Sequence, residues 1–311
     1  MLTLSTLLLA GIASVNGASI RAHETIDDSL RARVERRIAS VPGATVGVAF
    51  RDLAARGDSL FIGADERFHA ASTMKVPVMI ELFRRVDVNA LRLDQGVLLV
   101  NQFASIVDKS PYSLDRAEDS DSLVYSWIGS RVPIRELLNR MIVRSSNLAT
   151  NALIELAGAR QANETAHSLG ANRTQVLRGV EDGKAYAAGL NNMTTARDLA
   201  TLMAAIEKGT AASRSSCDAM RDVLLRQELN EEIPAGLPPS VRVAHKTGQI
   251  TGHLHDVAIV YPSGRAPYVL VVLTRGIQDE RVARALIVDI SRLVYDSVSG
   301  RSGVATSGGT R

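Results

Sequence analysis

Three short clusters in this 311-residue chain hold side chains able to carry acyl-transfer chemistry. The first is Ser72-Thr73-Met74-Lys75, which opens a helical pattern and is the only Ser-x-x-Lys in the chain. Helix positions three apart share a face, so the Ser72 hydroxyl and the Lys75 amine can meet. A serine hydroxyl is a poor nucleophile until a base takes its proton, and a neutral lysine can be that base. Burial and the positive end of a helix both depress a lysine pKa. The second cluster, Ser145-Ser146-Asn147, offers a hydroxyl to relay a proton and a carboxamide to hold a substrate amide. The third, Lys246-Thr247-Gly248, offers a point charge and a hydroxyl for a carboxylate, beside a glycine that lets substrate approach the backbone. Each cluster alone has a plainer reading. Ser72 could cap a helix beside a surface lysine, Ser146 or Asn147 could cap the next one, and Gly248 could end a strand.

The elements that must position these clusters are visible as periodicity. Asp27–Ser40 reads as a helix with an Arg-rich face, Thr45–Leu53 and Ser59–Gly63 as two strands joined by a turn at Arg56-Gly57-Asp58. Helical patterns dominate the middle: 73–88, 134–144, 146–157, 162–169, 194–208 and 217–226. Strands return at 241–245, 255–261 and 268–274, and 279–298 closes as an amphipathic helix. Two early and three late strands can form one antiparallel sheet covered by the first and last helices, with the middle as a helical lobe. The fold class expected is α/β (α+β). Its α/β part covers about 25–70 and 227–296, and its helical lobe about 71–226. The segment 111–122, with Asp115, Glu118, Asp119 and Asp121, reads as a solvated acidic loop.

Composition excludes several function classes. The chain has 36 basic and 33 acidic residues, a formal net charge of +3, and no dense Lys/Arg run, so nucleic acid is not an expected partner. Of the basic residues only 5 are lysines, and two of those five fall in the clusters above. Cys217 is the single cysteine, which excludes an intrachain disulfide and a cysteine zinc site. Residues 1–19 read as a secretory signal cut between Gly17 and Ser19, although no basic residue precedes the apolar stretch. Its apolar run is too short to span a bilayer, which takes about 20 residues. The expected location is therefore periplasmic or secreted, with no membrane span after cleavage. The Gly/Ser-rich residues 297–311 read as a loose tail after one domain over 20–296.

Taken in order, Ser-x-x-Lys, Ser-x-Asn and Lys-Thr-Gly resemble the penicillin-recognising serine hydrolases, most closely the class A β-lactamase group. Asn101-Gln102, the run Ser146–Gly158 and the run Asn192–Asp198 extend the resemblance over roughly Leu30 to Leu293. The resemblance implies a β-lactamase/transpeptidase-like fold: a five-stranded antiparallel sheet and an all-helical lobe, with the site between them. It also implies roles. Ser72 would be the acylated nucleophile, Lys75 its base partner, and Ser145 the proton shuttle to the leaving nitrogen. Asn147 would bind the substrate amide, and Lys246, Thr247 and Arg275 its carboxylate beside Gly248. The backbone N–H groups of Ser72 and Gln249 would form the oxyanion hole.

The pattern departs at one place. The family carries its deacylating glutamate in Glu-x-x-Leu-Asn, whereas this chain reads Arg178-Gly179-Val180-Glu181-Asp182-Gly183-Lys184, with Leu190-Asn191 arriving later. Glu181 lies 36 residues after Ser145, about where the family places its glutamate. It is expected to be the deacylation base, with a salt bridge to Arg178 or Lys184 as the competing role. Glu228-Leu229-Asn230-Glu231 looks like part of the missing motif but sits only 18 residues before Lys246, and reads as a polar connector. His253-x-His255 could hold a metal from one strand face, but no third ligand is identifiable, so an edge-strand or turn role is expected. His245 is expected to face the opposite side of its strand from Lys246. The reading is a monomeric serine hydrolase without metal or cofactor, taking a β-lactam or a peptidoglycan peptide. The competing functions are a D-Ala-D-Ala carboxypeptidase or other esterase or amidase, and a β-lactam sensor that is acylated without turnover.

Overall fold

The computed structural model describes residues 26–300 except Arg56. The proposed signal segment lies outside these residues, as does most of the tail. Helix α1 (Ile26–Ala39) leads into strands β1 (Thr45–Asp52) and β2 (Ser59–Ile62). The helical stretch follows: α2 (Lys75–Asp87), α3 (Ile134–Val143), α4 (Asn147–Ala157), α5 (Ala159–Ser168), α6 (Gly183–Ala187), α7 (Ala196–Lys208) and α8 (Arg214–Leu224). The chain then returns through β3 (Arg242–Ile250), β4 (His253–Tyr261) and β5 (Tyr268–Arg275) to α9 (Glu280–Ser299).

The five strands form one antiparallel sheet in the order β2-β1-β5-β4-β3. Alternation along each strand splits the apolar side chains between two cores. On one face Val48, Leu270, Val272, Ala258 and Val260 meet Leu30 and Val34 of α1 and Leu286, Ile287, Ile290 and Val294 of α9. On the other face Ala49, Val271, Leu273, Val257 and Ile259 continue into the helical core around α2, α3, α4 and α7. Each fully buried Val, Leu or Ile contributes about 1.5–3 kcal/mol, so both faces are firmly specified. The sheet and helical layout match the α/β expectation.

Several boundaries shift from the sequence reading, two of them with consequences. Strand β3 runs through Lys246, Thr247 and Gly248 rather than ending at His245. Pairing with β4 carries it on, Gly248 facing His255 and Ile250 facing His253. The hairpin turns only at Gly252, whose φ of 70° suits glycine. The last helix also continues to Ser299, past the expected start of the tail at Ser297.

Candidate active site

Ser72 sits in a 3-10 turn, Ala71–Met74, that runs straight into α2 at Lys75. Side chains three apart along such a turn share a face, which puts Ser72 and Lys75 on the same side of it. Ser72 is no helix cap: α2 is capped by Met74 without a side-chain bond. The turn is fixed from behind. Ala71 has φ of 45°, and its N–H donates to His69 Nδ1 at 3.0 Å. The His69 carbonyl lies 2.9 Å from His255 Nε2 on β4, and Thr274 N–H donates to His255 Nδ1 at 3.2 Å. Burial pushes both His69 and His255 down to about 4, so both rings are neutral near pH 7. His255 is therefore a buried bracket in an interior strand, not an edge or turn residue. Among the described residues no three metal-ligating side chains cluster.

The two motif lysines converge on one hydroxyl. Lys75 Nζ donates to Ser145 Oγ at 3.0 Å, to the Ser145 carbonyl at 2.7 Å and to Asn147 Oδ1 at 3.3 Å. Lys246 Nζ donates to the same Ser145 Oγ at 2.9 Å and to the Thr247 carbonyl at 2.9 Å. Both lysines are fully buried. Burial drives Lys75 well below an ordinary lysine, and the Lys246 charge pushes it further down. Burial brings Lys246 down to about 7, against the pull of Asp256 and Glu232. Ser145 has φ of 59°, which turns its carbonyl and hydroxyl together toward Lys75. A non-glycine residue held there costs on the order of 1–3 kcal/mol, a strain the surrounding bonds must sustain.

Gly248 is needed where β3 passes Ser72 and Thr73. A Cβ there would lie 3.0 Å from Thr73 Cγ2 and 3.2 Å from the Ser72 nitrogen. On the opposite face of β3, His245 Nδ1 lies 3.0 Å from Asp256 Oδ1, and its Nε2 lies 3.0 Å from Asn230 Oδ1. His245 thus faces away from Lys246, as alternation requires.

Glu181 is the third residue on the site with a left-handed backbone, φ 61°. Its Oε1 accepts from Asn147 Nδ2 at 2.7 Å and its Oε2 from Asp115 N–H at 3.4 Å. Burial raises its pKa, partly offset by those two bonds. Neither competing salt bridge forms. Arg178 bonds Leu190 O, Gly179 O and Asn191 Oδ1, and Lys184 bonds Asp108. Arg178 and Asn192 close the segment into a compact loop, while Asn151 grips Val180 through both its N–H and its carbonyl.

A cavity of about 960 Å³ opens between the sheet and the helices, lined by Ser72, Ser145, Asn147, Glu181, Thr247 and Gln249 among others. Gln249 also donates its side-chain amide to Glu280 at 2.6 Å. Arg275 is not on this wall. Its guanidinium stacks over Phe68 at 5.4 Å and donates to the Arg67 carbonyl at 3.0 Å. The segment 228–231, expected as a connector, forms part of the wall through Glu228, Leu229 and Glu231. The acidic loop is also not simply solvated: Asp119 and Asp121 are buried. Asp119 binds the start of α4, and Asp121 pairs with Arg140 at 3.3 Å. A polar loop read along the sequence hides such partners, because they come from distant segments.

The chain matches the sequence model of the Beta-lactamase enzyme family over residues 29–298. Beta-lactamase AST-1 of Nocardia asteroides is 30% identical over 261 residues, which cover 82% of this chain and 80% of that protein. A variant of PBP-A, solved as an acyl-enzyme complex with penicillin G, superposes with a TM-score of 0.77 at 29% identity. The match covers 88% of this chain and 97% of that one. A β-lactamase from Sphaerobacter thermophilus gives 0.75 at 28% identity, over 88% and 97%. With the three motifs gathered on one cavity and likeness over nearly the full described chain, this protein belongs to the β-lactamase enzyme family.

Proposed function

We propose that this chain opens β-lactam rings through an acyl-enzyme on Ser72. The observation that carries the reading is the Ser145 hydroxyl held at 3.0 and 2.9 Å by two buried lysines, on a cavity wall shared with Ser72 and Glu181. Neutral Lys75 takes the Ser72 proton as Ser72 Oγ attacks the lactam carbonyl. The backbone N–H groups of Ser72 and Gln249 receive the oxyanion. The C–N bond then breaks, and the leaving nitrogen takes through Ser145 the proton that Lys75 accepted. Lys246 and Thr247 hold the substrate carboxylate, and Asn147 its side-chain amide. Ionised Glu181 takes a proton from water, the resulting hydroxide breaks the Ser72 ester, and the proton taken up by Glu181 returns to Ser72 Oγ. Export to the periplasm or medium accompanies this role, on the pattern of residues 1–19.

Steady turnover of nitrocefin by purified protein tests the reading. Absence of turnover, or one stoichiometric burst, removes hydrolytic β-lactamase activity. A second reading keeps the same acylation but takes a peptidoglycan peptide, as a D-Ala-D-Ala carboxypeptidase does. It is favoured by the Glu181 segment, which lacks Glu-x-x-Leu-Asn. Release of D-alanine from a muropeptide without nitrocefin turnover distinguishes it.

A further inference from the structure

The start of α4 is held from outside its own motif. Asp119 arrives from the loop ahead of Ser145 and is 8% exposed. Its Oδ2 accepts from Asn147 N–H at 3.0 Å, Leu148 N–H at 2.9 Å and Ser146 Oγ at 3.3 Å. Its Oδ1 accepts from Asp121 N–H at 3.0 Å. The N–H groups of Asn147 and Leu148 belong to the first turn of α4, where N–H groups lack intrahelical partners and the helix dipole favours negative charge. The neighbouring Ser120 donates to the Arg144 carbonyl at 2.6 Å. Residues 119 and 120 therefore clamp Ser145 from both sides. The class A motif carries aspartate at its middle position. Here that position is Ser146, whose hydroxyl is spent capping Ala149 N–H at 3.2 Å, and the carboxylate comes from another segment.

We propose that Asp119 is a positioning residue for acyl transfer, whose carboxylate fixes the start of α4 so that Ser145 and Asn147 keep their hold on Lys75. The proposal rests on Ser72 and Lys75 acting as the acylating pair. Asn147 is the link between the two half-reactions, meeting Lys75 through Oδ1 and Glu181 through Nδ2. Charge acts alongside geometry. Around Lys75, Asp119 and Glu181 favour the ammonium and Lys246 opposes it. Around Glu181, the charges of Asp119 and Glu118 raise the carboxyl while the bonds from Asn147 and Asp115 lower it.

The test is Asp119→Asn, which keeps the shape and removes the charge. Two quantities are read: the rate of Ser72 acylation by benzylpenicillin, from quenched intact mass, and the Lys75 titration midpoint, from NMR of 13C-lysine protein. With five lysines in the chain the spectrum is assignable. Acylation is expected to slow by about 10²-fold, the effect of a small misplacement of reacting groups. The Lys75 midpoint is expected to fall, because a nearby negative charge is gone. A midpoint that stays put overturns the proposal whatever the rate does, since loosened packing slows acylation without touching the charge on Lys75. Wild type that never gains an adduct defeats the β-lactam reading instead, and the midpoint still decides Asp119. If Asp119→Asn does not fold, Ser146→Asp added to it returns a carboxylate to the same helix start. Fast acylation by that double variant supports the proposal; a folded double variant about 10²-fold slow overturns it.

Discussion

The proposed acylating side of the cavity and the Glu181 side are built from different materials. Lys75, Ser145 and Lys246 sit on or directly beside α2, α4 and β3, with both lysines fully buried. Glu181 sits on a loop whose closure depends on Asn151, Arg178 and Asn192. Lys75, Ser145 and Lys246 are locked by strand pairing and helix packing, which tolerate little displacement. Glu181 is locked by a few polar side chains, which can be removed singly. Changes on the Lys75 side should therefore act on formation of the Ser72 adduct, and changes on the Glu181 side on its decay.

The sharpest break in this contrast is Lys75→Arg. Arginine stays protonated near neutral pH and cannot serve as base. Acylation should fall by about 10³-fold, the scale of a lost general base, while Lys246→Arg keeps the cation and loses roughly tenfold. Quenched-flow acylation rates of the two variants make the comparison, and equal rates contradict the division of labour. Next comes Glu181→Gln, which should leave acylation standing and slow deacylation by about 10²–10⁴-fold. Intact mass should then show Ser72 trapped as an ester; an empty Ser72 with normal turnover assigns the base elsewhere.

A smaller effect is expected from Asn151→Ala. It removes the bonds to the Val180 N–H at 2.7 Å and carbonyl at 3.1 Å from a buried position. Stability should drop by about 1–3 kcal/mol. Deacylation should slow more than acylation, and denaturant melts read beside the two rates show whether it does. The smallest effect is a pH trend. Lys246 is brought down to about 7 from 10.5, so its cation is progressively lost above pH 7. For carboxylate substrates kcat/KM should decline as pH rises through that value. The sign for stability is opposite. Between about 7 and 10.5 the unfolded chain binds the proton that the folded chain has released, so stability from this group rises with pH. A flat kcat/KM across that window would mean that Lys246 keeps its proton.

What was legible in the sequence follows the same division. Ser72, Lys75, Ser145, Asn147 and Lys246 stood out because their three clusters follow in the order of the class A β-lactamase group, each cluster alone having a plainer reading. The five strands and the larger helices were legible from periodicity alone. The extent of β3 was not, because a glycine reads as a strand end unless the facing chain is known. Here Gly248 is set by the approach of Ser72 and Thr73. His69 and His255 fix the turn before Ser72, but the His253-x-His255 spacing pointed to a metal or an edge strand instead, since the two partners lie 186 positions apart. Asp119 was hidden for the same reason, as an acid in a polar loop 28 residues from Asn147. Arg275 was expected at the carboxylate subsite from its place after the last strand, but the aromatic face of Phe68 and the Arg67 carbonyl hold it.

The most direct measurement of the central claim is a time course of intact mass for wild type and Glu181→Gln mixed with benzylpenicillin. The account predicts a penicilloyl adduct on Ser72 that decays in wild type and persists in Glu181→Gln. Hydrolysis with no adduct on Ser72 in either protein would contradict it.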